Sequence, residues 1–425
     1  MSEYWQSYPI RKLASNAPLS FTDGDWIEAP HLRETGIRLI QTGNIGIGFF
    51  VDRSKKYISQ VSFDALNCKE VRPGDLLICR LAEPIGRACF APNLGERMIT
   101  SVDVTILRVD NESFDPHFVS ICINTPECLR QCEAVSGGST RQRISRTNLG
   151  KIEIKAPNID AQRRIAQIIL TLEKSIEKTE ALIAKYQQIK AGLMHDLFTR
   201  GVTADGKLRP PREQAPELYQ ETPIGWIPKE WQYKLLDQLA VRGSGHTPNK
   251  NFPEYWNGGI KWISLADSYR LDRLYITDTE YEISQLGIQN SSATVHPAGT
   301  VVISRDAGIG KSAITTEPMA VSQHFMCWRC DGRLDKHFLY YWLQFKKRMF
   351  ENIAMGSTIL TIGLPYFKKL KIAAPIDPME QHRIGERLQC TDREIFSLEA
   401  NLEKKKQQKF GLMHDLLTEK VRVSQ

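Results

Sequence analysis

The 425-residue chain has no run of 18 or more apolar residues, so no segment reads as a helix that spans a bilayer. Its opening, Met1-Ser2-Glu3-Tyr4-Trp5, lacks the basic-then-apolar order of a secretory signal, and a cytoplasmic protein is expected. Nine cysteines form an odd set without framework spacing, which argues against a disulfide scaffold and for reduced thiols. Cys128 and Cys132 read as buried thiols on a helix, and Cys327-Trp328-Arg329-Cys330 lacks the second pair that a zinc site needs. Catalytic signatures are scarce too. Asp306 to Ser312 approaches a phosphate loop, but Arg305 stands where its first glycine belongs. Gly46-Ile47-Gly48 lacks the strand and acid of a dinucleotide fingerprint. There is no HExxH, GxSxG or Asp/Asn-Pro-Pro-aromatic segment. No cofactor, metal or catalytic centre is expected.

What is present is a globular composition, 41% apolar and 25% charged, too long for one ordinary core. Basic residues exceed acidic ones by 56 to 49, giving a net charge of +7 that permits a polyanion partner.

The chain also repeats itself. Gly192-Leu193-Met194-His195-Asp196-Leu197 recurs as Gly411-Leu412-Met413-His414-Asp415-Leu416, and Gln162-Arg163-Arg164-Ile165 matches Gln381-His382-Arg383-Ile384. Residues 161–202 and 380–421 align without a gap with 17 identities in 42 positions. Upstream the echo is fainter: Gly138-Ser139-Thr140 with Gly356-Ser357-Thr358, Ala156-Pro157 with Ala374-Pro375, and Asp115-Pro116-His117-Phe118 with Asp335-Lys336-His337-Phe338. Two tandem copies of one unit follow, each a globular domain and a tail.

The tails carry apolar residues spaced alternately by four and three, the seam of a coiled coil. In the first tail these are Ile165, Ile169, Leu172, Ile176, Ile183, Tyr186, Leu193 and Leu197; in the second, Ile384, Leu388, Ile395, Leu398, Leu402, Leu412 and Leu416. Thr179, Lys190, Thr391, Lys405 and Lys409 interrupt the seam as register markers. At 1.5 Å per residue, about 40 residues make a rod of roughly 60 Å. Because the termini of a domain often lie close together, the second helix is expected to start near the end of the first and run back along it. The expected fold is α+β: two tandem mixed α/β domains separated by an antiparallel coiled coil of two long helices with pseudo-twofold symmetry. The boundaries read as domain one over 1–158, helix one over 159–201, a Pro-rich linker over 202–222, domain two over 223–377 and helix two over 378–425. Within the domains, Leu76–Cys79 and Pro297–Ile303 read as turn-to-strand entries, Val119–Cys132 and Phe338–Met349 as helices, and Lys151–Ile154 and Lys369–Ile372 as short strands. The identical hexapeptides imply two equivalent protein-docking contacts through Gly192, Met194, His195 and Asp196, and through Gly411, Met413, His414 and Asp415.

The loop 137–146 places Arg141, Gln142, Arg143 and Arg146 close together; arginine can take guanine bidentately, and glutamine adenine. Arg38, Gln41, Asn44, Lys55, Lys56 and Arg80 add basic and amide groups in domain one. In domain two the corresponding candidates are Lys250, Asn251, Lys261, Ser264, Arg305, Lys311, Gln323 and His324.

This layout resembles the specificity (S) subunit of type I restriction-modification enzymes. The resemblance rests on the duplicated Gln-x-x-Arg/His-Ile…Gly-Leu-Met-His-Asp-Leu helices, the Ala-Pro before each, Gly43-Asn44-Ile45-Gly46, and Ile224-Gly225-Trp226-Ile227-Pro228-Lys229-Glu230-Trp231. It implies a non-catalytic subunit whose two target-recognition domains each read half of a split sequence in double-stranded DNA. It further implies helices that set the gap and dock two copies of an adenine methyltransferase (M) subunit, which recruit motor-nuclease (R) subunits. S-adenosylmethionine and ATP chemistry would belong to those partners. The second Gly-Ser-Thr loop, Gly356–Thr361, lacks the arginines of the first. The alternative from another class is a coiled-coil scaffold that binds two proteins without DNA, with binding insensitive to salt.

Overall fold

The computed structural model describes residues 5–81, 83–138, 141–354 and 361–421. The chain divides into two compact units. Unit 1 is Met1–Lys178 with Leu402–Gln425, and unit 2 is Thr179–Asn401. Both are mixed α/β, as the sequence indicated.

In unit 1, β1 (Ile37–Ile40) runs parallel to a later strand (Met98–Thr100) and antiparallel to Lys56–Ile58. The hairpin β2–β3 (Leu76–Cys79, Ala88–Phe90) extends into a second sheet through Val104–Leu107 and Phe21–Asp23. β2 is buried along its whole length, so it reads as a continuous apolar run and not as an alternating one. The region expected as one helix over Val119–Cys132 is two, α1 (Pro116–Ile123) and α2 (Pro126–Ala134). Pro126 has no N–H to continue α1, while Thr125 caps α2 by accepting from the Cys128 N–H. Cys122, Cys128 and Cys132 are buried beneath them. Gln6–Pro9 pairs antiparallel with Glu153–Ala156, and the long helix α3 (Ile159–Thr199) begins three residues later.

Unit 2 repeats these pairings on different residues. β4 (Trp256–Ile263) runs parallel to Met319–Val321 and antiparallel to Tyr281–Ile283. The hairpin β5–β6 (Val301–Ser304, Ser312–Thr315) continues through Phe325–Cys330 to Ala240–Ser244. The expected helix over Phe338–Met349 is again broken, into α4 (Lys336–Phe345) and α5 (Lys347–Ile353). Trp231–Leu235 pairs with Lys371–Pro375, which leads into α6 (Pro378–Leu417).

The long helices contribute a half to each unit and are paired antiparallel within each. In unit 1, Ile165 and Ile169 of α3 share a core with Leu416 of α6, and Lys409 meets Glu173 at 2.6 Å. In unit 2, Leu197 and Met194 of α3 pack with Ile384 and Leu388 of α6, and Lys190 meets Asp392 at 2.6 Å. The seam differs from its sequence reading near the hexapeptides. Leu412 is 39% exposed, while Met413 packs on the unit 1 core and Met194 is buried in unit 2. From Lys409 the seam steps four and then three residues, where three and then four was expected, while in unit 2 Leu193 packs on the core beside Met194. Leu-Met offers two adjacent apolar side chains, and hydrophobicity alone does not choose between them.

The segment expected as a linker is pinned down. Val202 bridges to Leu208, and the buried Arg209 donates to both carboxylate oxygens of Glu380, at 2.5 and 2.9 Å. Tyr219–Thr222 forms a hairpin with Gly225–Pro228, across the expected boundary at 222/223. Among the described residues no helix is long and apolar enough to cross a membrane.

Candidate nucleic-acid interface

Four devices recur in the two units, and each positions a loop or helix around the β-hairpin. The first belongs to the long helices. The Asp115 N–H donates to Gln162 Oε1 at 3.0 Å, while Gln162 Nε2 donates to the carbonyls of Pro157 and Ser113. The Asp335 N–H donates to Gln381 Oε1 at 2.7 Å, while Gln381 Nε2 donates to those of Pro375 and Arg333. Both glutamines are buried and fully engaged, and each fastens its helix to the cap of the domain helix, where Asp115 and Asp335 accept from Phe118 and Phe338 N–H.

The second device holds the loop that follows the two short helices. In unit 1 the Ile144 N–H donates to the Arg80 carbonyl at 3.0 Å, and Arg80 Nη1 returns to the Ile144 carbonyl at 2.9 Å. In unit 2 the Ile362 N–H donates to the Arg305 carbonyl at 2.9 Å, and Arg305 Nε returns to the Ile362 carbonyl at 2.9 Å. The third is a capping box after the parallel strand. The Gln41 N–H donates to Asn44 Oδ1, and the Ser264 N–H to Asp267 Oδ2, each at 2.9 Å. The fourth is a cation at the start of the hairpin's second strand that holds the same loop. Arg87 Nε donates to the Ile45 carbonyl at 2.7 Å, and Lys311 Nζ to the Ser268 carbonyl at 3.0 Å.

The candidate DNA contacts therefore divide by burial. Arg38 is enclosed and paired with Asp52 at 2.8 Å; Asn44 donates to the carbonyls of Val51 and Arg53. Arg80 adds Asp23 at 3.1 Å to its loop bonds, and burial draws its pKa below the usual arginine value. In unit 2, Ser264 is buried in its capping box, Lys261 is tied to Glu317 at 2.6 Å, and Arg305 and Lys311 serve the clamps. His324 Nδ1 lies 2.6 Å from Asp306 Oδ2. These side chains shape the loops from within, because each is spent on a partner inside its own unit. Gln41 is half-buried at its box.

On the surface remain Lys55, Lys56, Arg141, Gln142, Arg143 and Arg146 in unit 1, and Lys250, Asn251 and Gln323 in unit 2. Lys55 and Arg38 hold the Asp52 carboxyl below its usual range, the hydrogen bond from Lys55 first. Arg143 meets Asp103 at 2.7 Å, and Arg146 lies 3.9 Å from Asp23. The exposed arginines and glutamine thus sit on a segment fastened at Ile144, with Arg143 held by Asp103 and Arg146 opening a short helix over Arg146–Leu149. Ser139 and Thr140, and Gly356–Leu360 of the matching loop, lie outside the described residues.

Of the docking candidates, His195 and His414 are exposed, and Gly192 and Gly411 have open space where a Cβ would stand. Met194 and Met413 point instead into their own units' cores. Sequence reasoning missed Arg87 and Asp267 altogether. Their signal is positional: Arg87 directly precedes a buried strand, and Asp267 stands three residues after Ser264 in a capping-box spacing.

A family model described as the type I restriction modification DNA specificity domain matches residues 36–188 and 228–407. The chain is 20% identical to the HindI specificity subunit of Haemophilus influenzae over 423 residues, covering 87% of this chain and 90% of that protein. It is 30% identical over 169 residues to the MjaIX specificity subunit of Methanocaldococcus jannaschii, a match spanning 39% of each. Its fold is similar to the crystal structure of a type I S subunit from M. genitalium, with a TM-score of 0.60 at 13% identity, covering 98% of this chain and 96% of that one. With both copies of the repeat matched, the chain belongs to the type I restriction-modification DNA specificity family.

Proposed function

We propose that each unit reads one half of a bipartite, asymmetric target in double-stranded DNA, and that the paired long helices set the gap between the halves. The observation that carries this reading is the duplicated Arg–Ile clamp: it fastens the loop after the helix pair in both units, although the neighbouring residues differ. Equivalent scaffolds with different surface chemistry support two readers of unlike half-sites. Arg141, Gln142, Arg143 and Arg146 are the contacts proposed for unit 1, with Lys55 and Lys56 on phosphates; Lys250, Asn251 and Gln323 are those proposed for unit 2. The enclosed candidates take part by fixing loop shape.

The chain itself acts without a cofactor, and methylation, ATP hydrolysis and cleavage fall to partner subunits. Docking of two adenine methyltransferase subunits, and through them motor-nuclease subunits, is supported by the hexapeptides. A glycine inside a helix costs about 0.5–1 kcal/mol against alanine. Neither Gly192 nor Gly411 has a neighbour in its own unit that requires it. A partner backbone approaching closely at both places accounts for the pair.

The test is to combine the chain with its methyltransferase subunit and map the methylated adenines on mixed-sequence DNA. Two different short half-sites at one fixed gap are expected, with log affinity falling linearly with log salt. Methylation without sequence preference, or binding indifferent to salt, would overturn the reading and favour the protein scaffold.

A further inference from the structure

The loop after β1 in unit 1 is built with unusual rigidity for one whose tip is apolar. The buried Asn44 amide donates to the carbonyls of Val51 at 2.9 Å and Arg53 at 2.6 Å. Arg87 holds it from below through the carbonyls of Ile45 and Thr42, at 2.7 and 2.9 Å. The Gly46 N–H donates to the Phe49 carbonyl and the Gly48 N–H to that of Ala88, both at 2.9 Å. A Cβ on Gly46 would collide with that Phe49 carbonyl, and Gly48 has a φ of +83°, so both glycines are needed for this turn. The frame leaves Ile47 and Phe49 47% and 62% exposed. The Phe49 ring lies back over Gly46, where a Cβ would stand 2.8 Å from it, and the rest of the ring stays open to solvent.

The surroundings are cationic. Arg53, Lys55 and Lys56 are exposed close by in the chain, against the single carboxylate of Asp52. The tip also flanks the same hairpin end as the arginine loop: Gly48 is bonded to Ala88 on one strand, while Leu81 bridges to Arg143 on the other. Unit 2, taken alone, has the capping box of Ser264 and Asp267 and the Lys311 bond to the Ser268 carbonyl; the next residue, Tyr269, is 65% exposed with Arg270 4.9 Å from its ring centroid.

We propose that Ile47 and Phe49 form an apolar wedge that enters a base step of the bound duplex next to the bases met by the 141–146 loop. This rests on the DNA-reading function proposed above. Apolar wedges partly unstack and kink a step, and pyrimidine–purine steps yield at least cost. The tip would therefore impose a preference for a deformable step without any hydrogen bond to a base.

The experiment uses the full chain, alone and with its methyltransferase subunit, on a pool of mixed-sequence duplexes, intact or carrying a single-nucleotide gap. Phe49→Ala should lower affinity for intact duplex about 5- to 100-fold, the span expected for one lost stacking contact. The loss should persist or grow on gapped duplex, where the ring makes its stacking contact without the cost of unstacking, and the salt dependence should keep its slope because no phosphate contact is removed. Phe49→Trp should restore binding, which separates the wedge from any loss of folding. Wild-type-like DNA binding by Phe49→Ala would overturn the wedge while leaving DNA reading intact, and so would a defect confined to assembly with the methyltransferase. Failure of the wild-type chain and its complex to bind DNA in a salt-dependent way would overturn both.

Discussion

His296 sits where the unit 2 sheet leaves room for a ring. Its Nε2 lies 3.2 Å from the Ser244 carbonyl and 3.3 Å from Cys327 Sγ, and a Cβ on Gly243 would stand 2.5 Å from the imidazole. Burial lowers its pKa below the usual 6.5, with Arg329 adding to the effect and the Ser244 carbonyl opposing it. The unfolded chain takes up that proton near pH 6.5 and the folded chain only at lower pH. Between those values the unfolded state binds more protons, so stability falls as pH falls below 6.5. His296→Gln should therefore lose less stability than the wild type between pH 7.5 and pH 5.5, measured as the shift in urea midpoint; equal shifts would remove His296 from the acid response. No sequence pattern announces this residue, since a lone histidine before a Pro-Ala-Gly turn looks like any surface histidine. Gln162 and Gln381 are the opposite case. The alignment of the tails exposed them as a pair, but their work as helix fasteners needed the position of Asp115 and Asp335 in space. Arg38, Arg80 and Arg305 were legible as functional cations only; that they are spent inside their own units depends on burial, which a one-dimensional charge pattern does not carry.

At the scale of the element, the tails were the most legible part because a seam is a local periodicity. The packed seam departs from that periodicity at the Leu-Met step, where two apolar neighbours compete for a single inward position, and at Thr391, where the neighbouring Asp392 is the buried residue. The helix pairs of the domains were legible as apolar runs, but the break at Pro126 was overlooked in favour of the longer pattern. Packing of α6 on unit 2 also involves a polar contact that periodicity does not reveal. Asp392 is buried and accepts from the Tyr341 hydroxyl of α4 at 2.8 Å as well as from Lys190 of α3 at 2.6 Å. Burial, reinforced by the carboxylate, raises the Tyr341 pKa, so its hydroxyl keeps the proton that it donates. Lys190 retains contact with solvent, whereas Tyr341 has none. Asp392→Ala should thus cost about 1–3 kcal/mol, mainly for the orphaned buried hydroxyl. Lys190→Met should cost as much or more, because it leaves the buried Asp392 carboxylate without its cation. Chemical denaturation of both variants checks the order; a loss under about 1 kcal/mol for Lys190→Met would show that the Tyr341 hydroxyl alone satisfies the carboxylate.

At the scale of the molecule, the repeat was plain in the helices and faint in the domains, and the reason is physical. Main-chain pairings survive wide changes of side chain provided burial is kept, so the two units share strand pairings on unlike residues, while the loop clamp keeps its Arg and Ile in both. Helices that must match each other along a seam have less freedom, which fits the closer agreement of the tails. The ruler reading can be tested where the units meet the helices. Each long helix passes from one unit to the other, α3 at Lys178/Thr179 and α6 at Asn401/Leu402. Inserting one seam-matched heptad at both points keeps every side chain on its original face, because seven residues are two turns of the seam. It lengthens each helix by about 10 Å, or about three base pairs of duplex. Methylation mapping of the doubly extended chain should recover both original half-sites with a gap longer by about that number. A heptad in one helix alone should unpair the seam and abolish selective methylation. An unchanged gap in the doubly extended chain would mean that the partner subunits, and not these helices, set the spacing.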